Sequence, residues 1–461
     1  MQTTSSRMIA ACVKPGGRWA VHAALAVHVA ACMPAYAASD TGLQTSACPI
    51  GLLAESRCLS GRDAQGAFVW LAVPPSWNGT LVVHAHGGPE LGPPRAERAV
   101  EDLQRWSIWN RAGYAYAASG YRQGGVAVTS AAEDIERARA LFVAAFGVPK
   151  RTVLHGQSWG AGVAAKAAEI ATVRAATGAA PMPYDAVLLT SGVLAGGTES
   201  YTFRLDLRVV YEAVCRNHPL AEEAPYPLWQ GLPPDRKLTR AELAERVDAC
   251  TGVNRKPAER SALQQASLDT ITRVVRISER SLQGHLAWGT WHFQDIVFKR
   301  LGGRNPFGNV GVRYIGSADD DALNATVARY AADPSARADF AADADLGGRI
   351  GVPVLTMHAV DDPTAFVELE SFFRTRMQQG GSAERLVQIT TADHEHSYLS
   401  DAQYVSAMAA LMAWIERGDK PAPQGIAASC AKVDVRFDPS KGCRFLPDYV
   451  PAPLGERVPP R

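Results

Sequence analysis

A serine flanked by glycines stands where the sequence predicts a sharp turn. The pentapeptide Gly156-Gln157-Ser158-Trp159-Gly160 follows the apolar run Val153-Leu154 and precedes a small-residue helical pattern over Ala161–Ile170. In a strand–turn–helix of this kind, two glycines remove the Cβ atoms that would clash, and the serine hydroxyl is lifted clear of the backbone. We therefore predict that Ser158 is a nucleophile. The alternative is a serine that only completes a tight turn.

A nucleophilic serine needs a base to take its proton and an acid to orient that base. The acid candidates, Asp361 and Asp362, directly follow the apolar, strand-like run 352–357. Asp362 is the favoured acid and Asp361 the alternative. One of the two is expected to cap the turn before Pro363.

The base candidates are two histidines in the segment Asp393-His394-Glu395-His396, which follows the strand-like run 386–389. His396 is favoured, and His394 is the alternative. His-x-His pairs can also bind metals. No acidic ligand stands at a convincing spacing here, so neither a metal nor a cofactor is expected.

The tetrahedral intermediate of acyl transfer needs hydrogen-bond donors aimed at its oxyanion. The backbone N–H of Trp159, the residue after the serine, is one candidate donor. The other is Gly88 in the turn His86-Gly87-Gly88, where glycine allows the backbone to approach a substrate closely. His86 is expected to hold that turn in place, and an ordinary turn without a catalytic role is the alternative.

Apolar runs that alternate with helical patterns are expected to position these residues. Strand candidates are 67–73, 81–83, 114–118, 153–154, 186–189, 352–357 and 386–389, and the helical patterns include 131–146 and 404–415. Continuous apolar strands separated by helices indicate a mostly parallel sheet that is covered on both faces. The predicted class is therefore α/β.

Between about residues 197 and 348 the strand pattern stops. Helices are expected over 239–250, 260–283 and 322–332, the first with a capping box at Thr239. We interpret this stretch as a helical lid over the carboxyl ends of the strands. Its aromatic residues fit an apolar substrate pocket and the lid's own core equally well.

The first residues resemble an export signal, with a basic leader, an apolar run and the small-x-small pattern Ala35-Tyr36-Ala37. A secreted or periplasmic protein is expected, and a lipoprotein anchored at Cys32 is the alternative. Removal of residues 1–37 leaves a net charge of about −2. Neither nucleic acid nor a membrane surface is therefore an expected partner, unless the chain is lipid-anchored.

Six cysteines remain after such a cleavage, and an even number in an exported chain indicates disulfides. Their clustering along the chain suggests the pairs 48–58, 215–250 and 430–443. The absence of any C-x-x-C pair argues against a metal site.

The order Ser158…Asp362…His396 resembles that of the α/β-hydrolase superfamily. The elbow 156–160, the turn 86–88 and the acid loop 357–363 also resemble that family's motifs, although Ala359 and Glu395 stand where glycine is usual. The resemblance implies an α/β-hydrolase fold with a large helical lid insertion.

The predicted organisation follows from this resemblance. It comprises a signal peptide (1–37), the two parts of the hydrolase core (38–196 and 349–420), the helical lid between them (197–348) and a Pro-rich tail (421–461).

Within that family, secreted serine esterases acting on small or polymeric esters are the first interpretation. The second is a proline-specific aminopeptidase, for which Glu223 or the acids 319–321 would have to bind an amine, and in which Glu90 replaces a motif glycine. A binding protein on an inactive hydrolase scaffold is a remote third, because candidates for all three triad roles are present.

Overall fold

The computed structural model describes residues 42–437 and 442–459. The predicted signal peptide and its cysteines, Cys12 and Cys32, lie outside the described residues. In the described ranges no helix is both long enough and apolar enough to cross a lipid bilayer.

One mixed sheet of ten strands forms the centre of the described chain. Its strands are β1 Leu43–Ser46, β2 Arg57–Arg62, β3 Phe68–Val73, β4 Thr80–Ala85, β5 Ala115–Ser119, β6 Arg151–Gln157, β7 Ala186–Thr190, β8 Val354–Ala359, β9 Leu386–Thr391 and β10 Phe445–Leu446. They lie in the order β1-β2-β3-β5-β4-β6-β7-β8-β9-β10. The pairs from β5 to β9 are parallel, and β1, β2, β3 and β10 pair antiparallel at the two sides. The predicted mostly parallel α/β architecture is confirmed.

Helices cover both faces of the sheet. Those before β7 are α1 Ala96–Arg105, α2 Ser107–Arg111, α3 Val128–Phe146 and α4 Trp159–Ala176, and those after β8 are α11 Leu369–Gln379, α12 Asp401–Arg417, α13 Pro423–Cys430 and α14 Leu454–Arg457. Strands β4, β7 and β8 are buried along their whole length, which explains their continuous apolar character in the sequence.

Six helices lie between β7 and β8, in a segment that we call the helical insertion (residues 196–344). They are α5 Gly196–Cys215, α6 Arg240–Thr251, α7 Ala262–Val275, α8 Leu282–Gln294, α9 Asp320–Thr326 and α10 Pro334–Ala344. The capping box predicted at Thr239 is present, since its hydroxyl accepts from the N–H of Glu242 and the Glu242 carboxylate accepts from the N–H of Thr239.

Two helix predictions in the insertion are wrong in their bounds. The single helix expected over 260–283 is interrupted, because Arg276 adopts a left-handed conformation (φ +58°) and the N–H of Ile277 bonds back to Thr272. The helix expected over 322–332 begins earlier, where Asp319 caps it, and ends at Thr326. Helix α5 was not predicted at all, because it is buried around nearly its whole circumference and so shows no amphipathic period.

The three predicted disulfides, Cys48–Cys58, Cys215–Cys250 and Cys430–Cys443, are all present. The described end of the Pro-rich tail packs against the rest of the chain. Leu454 and Val458 are buried, and Arg457 forms an ion pair with Glu368 at 3.0 Å.

Candidate active site

Ser158 occupies the turn between β6 and α4 with strained backbone angles (φ +57°, ψ −124°). A Cβ at Gly160 would collide with the carbonyl oxygens of Ala85 and His86, and one at Gly156 would collide with the backbone of the first turn of α4. The two glycines therefore allow the strand, the helix and the neighbouring strand β4 to meet closely around the serine. The turn is also held by the Ser158 N–H, which donates to Thr190 on β7 at 2.9 Å.

Ser158, His396 and Asp362 form a continuous chain of hydrogen bonds. The Ser158 Oγ lies 2.7 Å from His396 Nε2, and His396 Nδ1 lies 2.7 Å from Asp362 Oδ2. The carboxylate accepts a hydrogen bond from the Nδ1–H group, which leaves Nε2 as the acceptor for the serine hydroxyl. The imidazole thus holds the tautomer that a general base needs.

The alternative residues, His394 and Asp361, form a second pair at the surface. His394 Nδ1 lies 2.9 Å from Asp361 Oδ2, and Arg280 also binds that carboxylate. The side chains of His394 and Asp361 are 70% and 59% exposed, whereas those of His396 and Asp362 are 20% and 0% exposed. The structure therefore brings only the inner pair to Ser158.

The order of the strands explains how Ser158, Asp362 and His396 come together. Among strands β2–β9, β3 is antiparallel to both of its neighbours. Ser158 follows β6, Asp362 follows β8 and His396 follows β9. All three side chains therefore project from the carboxyl edge of the parallel part of the sheet, in the chain order serine, acid, histidine. The chain has the α/β-hydrolase fold.

The acid of this chain of hydrogen bonds is buried and lies among other charged groups. Asp362 Oδ1 accepts from the N–H groups of Thr364 and Ala365 at 2.8 and 2.9 Å. Burial alone would raise the pKa of Asp362, but the adjacent His396 and His358 hold it below its ordinary value. The carboxylate is therefore charged at neutral pH and able to stabilise an imidazolium.

His358, which the sequence analysis gave no role, lies directly behind that acid. Its Nδ1 is 3.1 Å from Glu370 Oε1, and its Nε2 is 2.8 Å from the carbonyl of Ala365 and 3.5 Å from Asp362. Glu370 is itself fully supplied with donors, from Thr356 and Gln388. Both imidazole nitrogens of His358 thus face acceptors, so the ring carries both protons. Burial opposes that charge, but hydrogen bonds to Asp362 and Glu370 raise the pKa of His358 to about 10.

The charge on His358 predicts a particular pH dependence of stability. Because the folded-state pKa lies above the ordinary 6.5, its contribution is full below pH 6.5 and is lost as the pH rises to about 10. We expect the free energy of unfolding of the wild type, relative to His358→Gln, to fall over that window by up to about 1.4 kcal/mol per pH unit. Urea unfolding at several pH values measures this difference. His394→Gln, at the surface, is the control and should follow the wild type. Parallel profiles for wild type and His358→Gln would show that the ring is neutral.

The turn His86-Gly87-Gly88 lies beside the elbow. A Cβ at Gly87 would strike the side chain of Gln157, whereas one at Gly88 would meet no atom within 4 Å, so Gly88 borders open space with φ +71°. His86 is buried, stacks on Tyr121 with ring centroids 4.0 Å apart and donates from Nδ1 to the Gly87 carbonyl at 3.0 Å. Burial lowers the pKa of His86 to about 4, so the ring is neutral and positions the turn. Trp159 is the first residue of α4, and the first N–H groups of a helix have no partner within it.

Two histidines of α8 connect the helical insertion to the acid loop and to the turn 86–88. The sequence analysis missed both of them. His285 Nε2 donates to the carbonyl of Pro363, after the acid, and His292 Nε2 donates to the carbonyl of Pro89, after Gly88; both distances are 3.0 Å. Burial lowers the pKa of both rings, that of His292 to about 4. A sequence pattern could not reveal these contacts, because each joins residues at least 78 positions apart.

The acids considered for binding an amine have other partners. Glu223 forms an ion pair with Arg246 at 2.7 Å, and Asp321 forms one with Arg313 at 2.8 Å on the surface. Asp319 caps α9, and Asp320 accepts from Ser317. Glu90, in the motif position of a glycine, pairs with Arg95 at 3.1 Å.

His84 and His155 are packed beneath the elbow. His84 contacts Asp102 at 3.0 Å and His155 at 2.8 Å, and His155 also accepts from Trp109 at 3.2 Å. Burial holds the pKa of His155 well below its ordinary value, so this histidine is neutral. Within the described ranges, no group of three or more His, Cys, Asp or Glu side chains is arranged to hold a metal ion.

Comparison with family profiles and with curated proteins gives no match to this sequence. Among solved structures, the chain is similar to feruloyl esterase B from Aspergillus oryzae, with 12% identity, a TM-score of 0.40 and coverage of 83% of this chain and 89% of that one. It is also similar to the rice cell wall degrading esterase LipA from Xanthomonas oryzae, with 13% identity, a TM-score of 0.34 and coverage of 74% and 83%. A third is 2-hydroxy-6-oxo-6-phenylhexa-2,4-dienoate hydrolase from a Rhodococcus species, with 13% identity, a TM-score of 0.33 and coverage of 79% and 95%. At these values the likeness says nothing about substrate.

Proposed function

We propose that the protein is a serine hydrolase that cleaves carboxylic esters. The observation that carries the proposal is the hydrogen-bonded chain from the Ser158 hydroxyl through His396 to the buried carboxylate of Asp362, with 2.7 Å at each link. An arrangement of this kind activates a serine for attack on an acyl carbon. The intact chain argues against an inactive scaffold.

The reaction follows from the positions of these groups. Ser158 Oγ attacks the ester carbonyl while its proton moves to His396 Nε2, and Asp362 stabilises the imidazolium. The N–H groups of Trp159 and Gly88 donate to the oxyanion of the tetrahedral intermediate. Its collapse breaks the bond to the alcohol, which leaves with the proton from His396. Water then attacks the acyl-enzyme while one of its protons moves to His396. The bond from the acyl carbon to Ser158 Oγ breaks, Oγ takes the proton back from His396, and the carboxylic acid is released.

A location outside the cytoplasm is part of the proposal. The three disulfides support it, because such bonds persist in oxidising compartments. The leader-like residues 1–37 support the same conclusion from the sequence. We further propose that the helical insertion acts as a lid, since α8 contacts the loops on both sides of the site.

Cleavage of p-nitrophenyl butyrate and of proline p-nitroanilide by the purified mature enzyme tests the ester assignment. We expect the ester to be hydrolysed at least about 100-fold faster in kcat/KM, because the acids that could bind the proline amine are paired elsewhere. Rapid cleavage of the anilide alone would instead identify the aminopeptidase. A heat-inactivated sample corrects for spontaneous ester hydrolysis.

A further inference from the structure

Arg204 is a buried cation without an anionic partner among the described residues. It lies on α5 and is only 5% exposed. Its Nη1 donates to the carbonyl of Ser200 at 3.2 Å, and its Nε has no hydrogen-bond partner in the described part of the chain. Burial lowers the pKa of Arg204 to about 9, with only the phenol of Tyr201 opposing the shift. The guanidinium is thus still charged at neutral pH, in a place where an unpaired charge is costly.

Three aromatic rings lie close to this guanidinium. Its central carbon lies 4.5 Å from the ring centroids of both Phe203 and Trp288, and 5.6 Å from that of Tyr201. Ring faces attract a cation, but they offer no hydrogen-bond acceptor to the remaining N–H groups. Three aromatic residues of the helical insertion therefore lie beside a buried charge.

The position of Arg204 links it to the proposed active site on two sides. Phe203 contacts His285, which bonds to Pro363 beside Asp362, and Trp288 stacks on His292, which bonds to Pro89 beside Gly88. The charge of Arg204 also lowers the pKa of His285, and that of Asp362 raises it, so His285 lies within electrostatic range of both. Through these two aromatic–histidine contacts, the surroundings of Arg204 reach both the acid loop and the turn 86–88.

A second buried arginine on the same helix differs from Arg204 in its neighbours. Arg208, one turn further along α5, donates to the carbonyl of Gly289 at 3.0 Å and lies beside the phenol of Tyr226. Its Nε and Nη2 also lack hydrogen-bond partners among the described residues, but its contacts lie within the helical insertion and not at the two catalytic loops. Arg208 is thus a matched reference for the burial of an arginine in α5.

We propose that Arg204 binds a carboxylate of the substrate, so that the preferred substrates are esters carrying a carboxylate on their acyl or alcohol part. This inference rests on the proposed ester hydrolysis and specifies its substrate class. A carboxylate supplies the planar acceptors that the guanidinium lacks among the described residues, and the low polarity of a buried site strengthens the ion pair. The same charge repels the ammonium group of an aminopeptidase substrate.

Matched pairs of esters test the proposal and locate the carboxylate. On the alcohol side the pair is 4-carboxyphenyl butyrate and 4-carbamoylphenyl butyrate; on the acyl side it is p-nitrophenyl hemiadipate and p-nitrophenyl methyl adipate. We expect one charged ester to exceed its neutral partner in kcat/KM by about 10- to 100-fold. Arg204→Met should reduce that ratio to about one, and Arg204→Lys should restore part of it. Arg208→Met should leave the ratio at the wild-type value.

Binding supplies a readout that does not depend on turnover. In a Ser158→Ala background, calorimetry should show the preferred charged ester binding at least about 10-fold more tightly than its neutral partner, with the difference lost on Arg204→Met. Equal rates and affinities for charged and neutral esters would overturn the inference while leaving ester hydrolysis intact. Failure to hydrolyse any of the four esters, together with selective binding, would instead overturn the proposed function alone. An equal loss of the ratio in Arg208→Met would assign Arg204 a purely structural role.

Discussion

Ser158→Ala should lower kcat for p-nitrophenyl butyrate by about four to six powers of ten. The substitution removes the one oxygen that lies within hydrogen-bond distance of His396 Nε2 and would form the acyl-enzyme. The backbone hydrogen bonds that hold the turn remain, because Ser158 N and O form them. Initial rates at saturating ester, together with a circular-dichroism spectrum, measure the effect on an intact fold.

The control for this substitution is Ser191→Ala. Ser191 is another buried serine with positive φ, at the end of β7, and its hydroxyl has no hydrogen-bond partner among the described residues. Its removal should change kcat by less than about threefold. A fluorophosphonate probe should label the wild type and Ser191→Ala but not Ser158→Ala. Residual activity above about 10% in folded Ser158→Ala would contradict the assignment of the nucleophile.

The second large effect is expected at the buried pair Asp362–His396, which we call the inner pair, and not at the exposed outer pair Asp361–His394. Asp362→Asn should lower kcat by about 10⁴-fold, because an amide can turn its NH₂ toward Nδ1 and stabilise the wrong imidazole tautomer. His396→Gln should cost as much as Ser158→Ala, since it removes the proton acceptor. Both residues belong to one chain of hydrogen bonds, so the double variant should be little worse than His396→Gln alone.

The outer pair provides the matched controls. Asp361→Asn and His394→Gln replace the same side-chain types in the same two loops, but at exposed positions that pair with each other and with Arg280. Each should retain kcat within about threefold of the wild type, since exposed ion pairs contribute little. If His394→Gln were the more damaging of the two histidine changes, the loop would have to rearrange during catalysis and our assignment of the base would be wrong.

Much of the core could be predicted because the relevant signals are local. The apolar residues around Val153 and Val354 belong to strands that are buried on both faces, and a turn after each strand brings polar residues to one edge of the sheet. The helical insertion was harder to predict. Helix α5 is buried all round, and only the left-handed Arg276 separates α7 from the segment leading to α8. Neither feature leaves a clear period or a glycine in the sequence.

The sequence by itself determined the candidates: the serine in its elbow, two acids after one strand, two histidines after the next, and three cysteine pairs close together in the chain. Only the tertiary structure decided which acid and histidine meet the serine, since that contact joins residues 238 positions apart. It also decided that His358 carries a charge behind Asp362 and that Arg204 is buried with no anion beside it in the described part of the chain. The physical reason is that periodicity and turn chemistry are encoded locally, whereas burial and pairing depend on the elements that the fold packs around each side chain.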